Sequence, residues 1–211
     1  MLHFSTSDFD QWERFYRANF ISTLSGYKPA MLVGTYNQQG IANLSLFQNI
    51  VHLGANPALV GMLCRPREAS PHTLGNLETS GWFSLNSVQA SFIENAHQTS
   101  AKYDAEISEF DAVGLELQKR ENISVPFVAN SEIQLALKVE QIIPIALNNT
   151  FFIIGSVQHV FLQAGLLLDD GTVQLDKADV VCTAGLDGYY LPRLLHRLAY
   201  AKPGKPVTVI Q

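Results

Sequence analysis

The chain is poor in the residues that staple small folds or bind metals. It has only two cysteines, Cys64 and Cys182, far apart and outside any CxxC. This excludes a disulfide framework and a cysteine zinc site, and both thiols are expected to be reduced. Six histidines occur without HxH or HExxH spacing, which leaves no metal signature. There is no GxSxG elbow, no GxxxxGK[ST] loop and no GxGxxG, so the simplest hydrolase and nucleotide signatures are missing. Lys and Arg total 14 against 19 Asp and Glu, a net charge of -5, and no basic run occurs. A nucleic-acid surface, which needs clustered cations to displace counterions, is excluded. No apolar run approaches the ~20 residues of a membrane span. The start, "MLHFSTSDFDQWERFYR", lacks the basic and apolar regions of a signal peptide, so the expected place is the cytoplasm.

What is present is core material: 47% of the 211 residues are apolar and only 16% are charged. No composition break, low-complexity tract or repeat divides the chain, so residues 1–211 are read as one domain. It has an N-terminal helical segment (1–26) and a C-terminal extension (191–211). Between residues 7 and 20, Phe9, Trp12, Phe15, Tyr16 and Phe20 recur at helical spacing, with Asp8 and Gln11 disposed as a capping box. This predicts one amphipathic helix ending near Gly26, whose aromatic stripe packs on its own core or across a dimer. Short strand-like runs follow at 30–36, within 40–57 and at 58–64, with turns such as "NQQG" and "GANP" between them. Helices are predicted over 70–80 and 88–103, with a strand at 81–87 between them. Long strands at 132–145 and 150–163 meet at Asn148 and Asn149, and "LDDGTVQ" signals another hairpin. Strands dominate and helices do not alternate regularly with them, which predicts a mainly β fold, a β-barrel with added helices.

Two stretches stand out. In "GIANLSLFQNIVHLGANP" (40–57) one face of a half-buried strand carries Asn43, Ser45, Phe47 and Asn49. In "CRPREASPHTLGNLETSGWF" (64–83), Ser70 followed by Pro71 marks a helix start, since Ser caps free amides and Pro lacks the N–H that would go unpaired there. The outward amides of His72 and Thr73, the Thr73 hydroxyl, Arg65 and Arg67 are the ingredients of a phosphate cradle, or of an ordinary capped helix with solvated arginines. In "SEFDAVGLEL" (108–117), Glu109 is either a general base or an acid that orients its loop. Asp169, Asp170 and Asp187 lie in turn contexts where local backbone hydrogen bonds account for them.

In their order, "YKPAMLVGT", "GIANLSLFQNI", "NPALVGML", "SPHTLGNLETSGWFSLN", "SEFDAVGLEL", "IIGSV" and "AGLDGYY" resemble the flavin reductase-like family with the FMN-binding split barrel. The resemblance covers about residues 24 to 190. It implies a bound FMN whose ring lies on Asn43, Leu44, Ser45, Leu46 and Phe47. The phosphate would sit where the family often has Lys-Asp-Thr and this chain has Pro71, His72 and Thr73. Its charge would be met by Arg65, Arg67, His72 or the helix end, with Cys64, Ser70, Asn86 and Tyr189 as further cofactor-binding candidates. Asn148 and Asn149 stand where small two-component reductases carry a histidine, and Thr183 to Leu186 replace an Arg-Leu-Gly-Gly pattern. The implied activity is hydride transfer from NAD(P)H to flavin N5, with onward transfer to an oxygenase or another acceptor, in a homodimer. The alternatives are an FMN carrier or electron-transfer module without NAD(P)H oxidation, and a split barrel that has lost flavin and serves as an interaction domain.

Overall fold

In a computed structural model, residues 1–210 are described. The expected C-terminal extension therefore ends at a residue, Gln211, that lies outside the described part. Two helices, α1 (Thr6–Gln11) and α2 (Arg14–Leu24), precede strands β1 (Lys28–Pro29), β2 (Met31–Tyr36), β3 (Ala42–Phe47), β4 (Ile50–Ala55) and β5 (Ala58–Cys64). Helix α3 (Pro71–Ser80), β6 (Trp82–Ser87), α4 (Ile93–Gln98) and α5 (Glu109–Val113) follow. Strands β7 (Leu117–Arg120), β8 (Ile123–Val128), β9 (Ile133–Ile145), β10 (Thr150–Leu162), β11 (Cys182–Ala184) and β12 (Gly188–Tyr190) complete the order.

Seven strands form one antiparallel sheet in the order β3-β2-β6-β9-β10-β5-β4. Strands β3 and β4 lie at its opposite ends, yet only Gln48 and Asn49 separate them in sequence. So short a link reaches no more than ~11 Å, so the sheet must curl until its two edges meet. The edges adjoin there without pairing, which is the split of the barrel. The β7–β8 hairpin packs on β2 and β6, and β1, β11 and β12 make a small separate sheet.

Alternation along β2 and β3 sends side chains to two cores. Val33 and Phe47 join Met62, Cys64, Leu74, Leu77, Phe83, Leu137 and Ile153 on one side. Leu32 and Leu44 join Phe92, Ala96, Phe110 and Val128 on the other. Helix α3 closes the first and helices α4 and α5 the second.

Four local expectations are corrected. The N-terminal helix is broken at Trp12, whose backbone is extended, and Glu13 starts a second helix by accepting the Phe15 N–H at 2.8 Å. The reciprocal cap is made by Ser5 and Asp8, three residues before the expected pair: the Ser5 N–H donates to the Asp8 carboxylate at 2.7 Å. None of the residues of α1 and α2 is buried in the barrel; instead Phe4, Phe9, Tyr16 and Phe20 pack around Trp12 with ring centres 4.8–5.3 Å away. The helix expected over 88–103 is reduced to one 3-10 turn at 90–92 and α4, because the Thr99 hydroxyl donates to the Ala96 carbonyl and closes the helix end. Residues 99–107 are thereby released as a loop. The hairpin at Leu168–Gly171 and the β9–β10 turn at Asn149, with φ 59°, fall where the sequence placed them.

Candidate functional site

The released loop, the edge strand β3 and the start of α3 enclose a cavity of about 330 Å³. Asn43, Ser45, Leu46 and Phe47 supply one wall. Arg65, Glu68, Ser70, Pro71, His72 and Thr73 form a second. Thr99, Ser100, Lys102 and Tyr103, with His97, Glu109 and Leu186, form the third.

The polar face of β3 is polar because of what packs on it. Asn43 Nδ2 donates to Thr73 Oγ1 at 3.2 Å, and Thr73 Oγ1 donates to Ser45 Oγ at 3.2 Å. One turn along α3, Asn76 Nδ2 donates to Thr35 Oγ1 on β2 at 2.9 Å. Helix α3 is thus tied to the sheet by Thr73 and Asn76 at i, i+3 spacing, while Leu74 and Leu77 enter the core. Thr73 is only 2% exposed, so its hydroxyl belongs to the wall as well as to the helix start.

Ser70 holds the N-cap position of α3, but its side chain makes no cap hydrogen bond. Burial pushes the nearby Cys64 thiol up to about 11 and so keeps it protonated. The first-turn amides of α3 are left without a side-chain cap and form a positive end beside Arg65 and His72. Arg67 is turned away: it forks onto Glu78 at 2.6 and 3.0 Å and lies over the Phe151 ring.

Of the residues proposed from sequence, the fold brings Asn43, Ser45, Leu46, Phe47, Arg65, Ser70, His72 and Thr73 to the cavity, and sets Cys64 and Arg67 behind its wall. Leu44 is fully buried, with its N–H donated to Glu109 Oε2 at 2.9 Å. Asn86 is 0% exposed and spends its amide inside the barrel: Nδ2 donates to the Leu32 carbonyl at 3.1 Å and to Ser84 Oγ at 3.0 Å, and Oδ1 accepts the Val128 N–H at 3.0 Å. The Tyr189 hydroxyl sits 2.9 Å from His97 Nδ1, joining the β11–β12 turn to the cavity rim, and burial pushes its phenol up to about 12.

Sequence reasoning missed Lys102, Tyr103 and His97, which it had placed on one long helix. Glu109 it noticed without assigning to the site. It is 4% exposed, and burial raises its carboxyl against the opposing pull of the Leu44 amide. Its place beside the apolar Phe110 in a capped turn was the available signal; nothing local marks Lys102.

An FMN-like molecule finds suitable donors here. The uncapped amides, Arg65 and His72 suit a phosphate, and β3 offers the short polar side chains of Asn43 and Ser45 beside Leu46 and Phe47. The volume is within the range of small-ligand pockets.

The comparisons with known proteins agree on the fold. The family model for the flavin reductase like domain matches residues 27–174. An uncharacterized protein of Halalkalibacterium halodurans is 31% identical over 150 residues, covering 68% of this chain and 72% of the relative. A crystal structure of a proposed flavin reductase with a split barrel domain from Shewanella frigidimarina superposes with a TM-score of 0.92 at 40% identity, covering 95% of this chain and 100% of that one. Nitrilotriacetate monooxygenase component B from Bacillus cereus shares the fold, with a TM-score of 0.83 at 18% identity over 94% of this chain and 98% of that one.

Proposed function

The chain belongs to the flavin reductase-like family of flavin-related oxidoreductases, and on that premise we propose that it binds FMN in the β3–α3 cavity and serves as an NAD(P)H-dependent reductase. The observation that carries the reading is the uncapped start of α3 beside Arg65 and His72, facing the small polar wall of β3.

When bound, the flavin supplies hydride and electron chemistry of its own, so the protein needs to bind, orient and tune rather than provide an acid–base pair. The α3 amides, Arg65 and His72 hold the phosphate and so fix the register of the ring. Asn43 and Ser45, held by Thr73, keep the β3 wall small enough for close approach, and Phe47 closes one side. Lys102 and Tyr103 border the opening and restrict access to it. The reduced flavin is proposed to serve an oxygenase or another acceptor in the cytoplasm; among the described residues no helix is long and apolar enough to cross a membrane.

A homodimer is part of this proposal. The surface of α1 and α2 exposes Phe15, Tyr16, Ile21 and Leu24, and the C-terminal extension exposes Leu191, Leu195, Val207 and Val209. Apolar exposure on both segments suits a second copy. Sedimentation as a monomer at micromolar concentration contradicts it.

The second reading, an FMN electron-transfer module without NAD(P)H oxidation, is favoured by the β9–β10 turn, where Asn148 and Asn149 occupy the place of a histidine. The deciding experiment is the visible spectrum of the purified protein, before and after anaerobic NADH or NADPH. Yellow protein that bleaches supports the reductase; yellow protein that does not bleach supports the module. Colourless protein that ignores added FMN refutes both.

A further inference from the structure

Glu109 is the only acidic residue among the buried polar and charged residues described, and it lies in the wall of the cavity rather than in the barrel. One carboxylate oxygen accepts the outward N–H of Leu44 on the free edge of β3. The two ion pairs among the described residues lie elsewhere, so no cation is paired with it. The elements packed on α5 are β3, which carries no titratable group, and α4, which brings Glu94 and His97. His72 on α3, Lys102 and Tyr103 on the loop, and Arg65 and Glu68 before α3 meet the same cavity; Asp111 stands on its own helix. Of these, His72 is close enough to favour the charged form, and burial outweighs it.

A buried carboxylate without a cationic partner responds strongly to new charge, because little solvent screens it. We propose that Glu109 is the proton acceptor of this cavity, taking up one proton from water when negative charge arrives on a flavin lying against β3 and returning it when the charge leaves. The inference rests on the FMN reading above. In balance, a hydride from the reductant delivers two electrons and one proton to the flavin and leaves one negative charge on it. A second proton, from solvent, forms an O–H bond on Glu109, and no other bond to the protein changes.

The test is proton uptake per electron pair during dithionite reduction of the FMN-loaded protein, from about pH 6 to 9, in the wild type and Glu109→Gln. The glutamine oxygen still accepts the Leu44 N–H, so the tie to β3 survives while the proton site is lost. The wild type is expected to take up as much as one proton more per electron pair than the variant within this range. Equal counts at every pH overturn the proposal. The wild type alone gives a second readout: the reduced-minus-oxidised infrared spectrum should gain a protonated carboxyl stretch that shifts in D2O, and its absence overturns the proposal even if the variant fails to fold. FMN binding with equal proton counts removes this inference alone, whereas failure to bind FMN removes the proposed function with it.

Discussion

Replacing Asn86 with Leu distinguishes a cofactor contact from a barrel strut. The side chain is fully buried and makes three hydrogen bonds, to the Leu32 carbonyl, Ser84 Oγ and the Val128 N–H. Leucine keeps the approximate shape but leaves the Val128 amide without this acceptor inside the barrel. A buried donor left unpaired costs about 1–3 kcal/mol, and loss of the two bonds donated by the amide adds about 1 kcal/mol net, since Ser84 Oγ still donates to the Pro126 carbonyl. The expected loss is about 2–4 kcal/mol, or roughly 5–15 °C in Tm for a chain of this size. The assay is thermal unfolding by circular dichroism, paired with FMN titration at a temperature where the variant stays folded. Since Asn86 does not line the cavity, FMN affinity should stay within about twofold, under 0.5 kcal/mol. An unchanged Tm with affinity reduced tenfold or more would falsify the assignment and return Asn86 to the site.

Three other outcomes are expected. Thr73→Val removes the hydroxyl that joins Asn43 to Ser45, and should lower stability by about 1–2 kcal/mol and weaken FMN binding by about the same amount; an unchanged Kd in calorimetry removes Thr73 from the cofactor site. Burial raises the Glu109 carboxyl above its ordinary value, so the native state keeps that proton to higher pH than the unfolded chain. Its contribution is complete below the unfolded value and lost as pH rises through the folded one, so Glu109→Gln should melt higher than the wild type near pH 8 and no differently near pH 4. A variant that melts lower at both values contradicts this. Gly34→Ala should destabilise by about 1–3 kcal/mol, because a Cβ there would stand 2.5 Å from both the Pro126 carbonyl and Ser84 Oγ where β8 crosses β2; denaturant unfolding with an unchanged midpoint refutes the close approach.

Much of the barrel was legible residue by residue. Strands β2, β5, β6, β9 and β10 carry period-two or continuous apolar runs bounded by turns, and both signals arise from neighbours in sequence. The Ser70–Pro71 start of α3 was legible for the same reason, although the absence of a side-chain cap from Ser70 was not. The break at Trp12 escaped because a stripe of aromatics fits one helix or two, and Glu13 decides by capping the second. The polar face of β3 looked anomalous because Thr73, its partner, lies 28 residues beyond Ser45.

The sequence by itself determined a mainly β, acidic chain, the ordered motifs of its family, and the strands and caps that local spacing encodes. Only the tertiary structure decided which side chains face the cavity. Lys102 reaches it because Thr99 ends a helix early, and Glu109 is buried beside it because its carboxylate satisfies an amide on the free edge of β3. The physical reason is that burial and long-range hydrogen bonding depend on the curling of the sheet, which no short window of sequence contains.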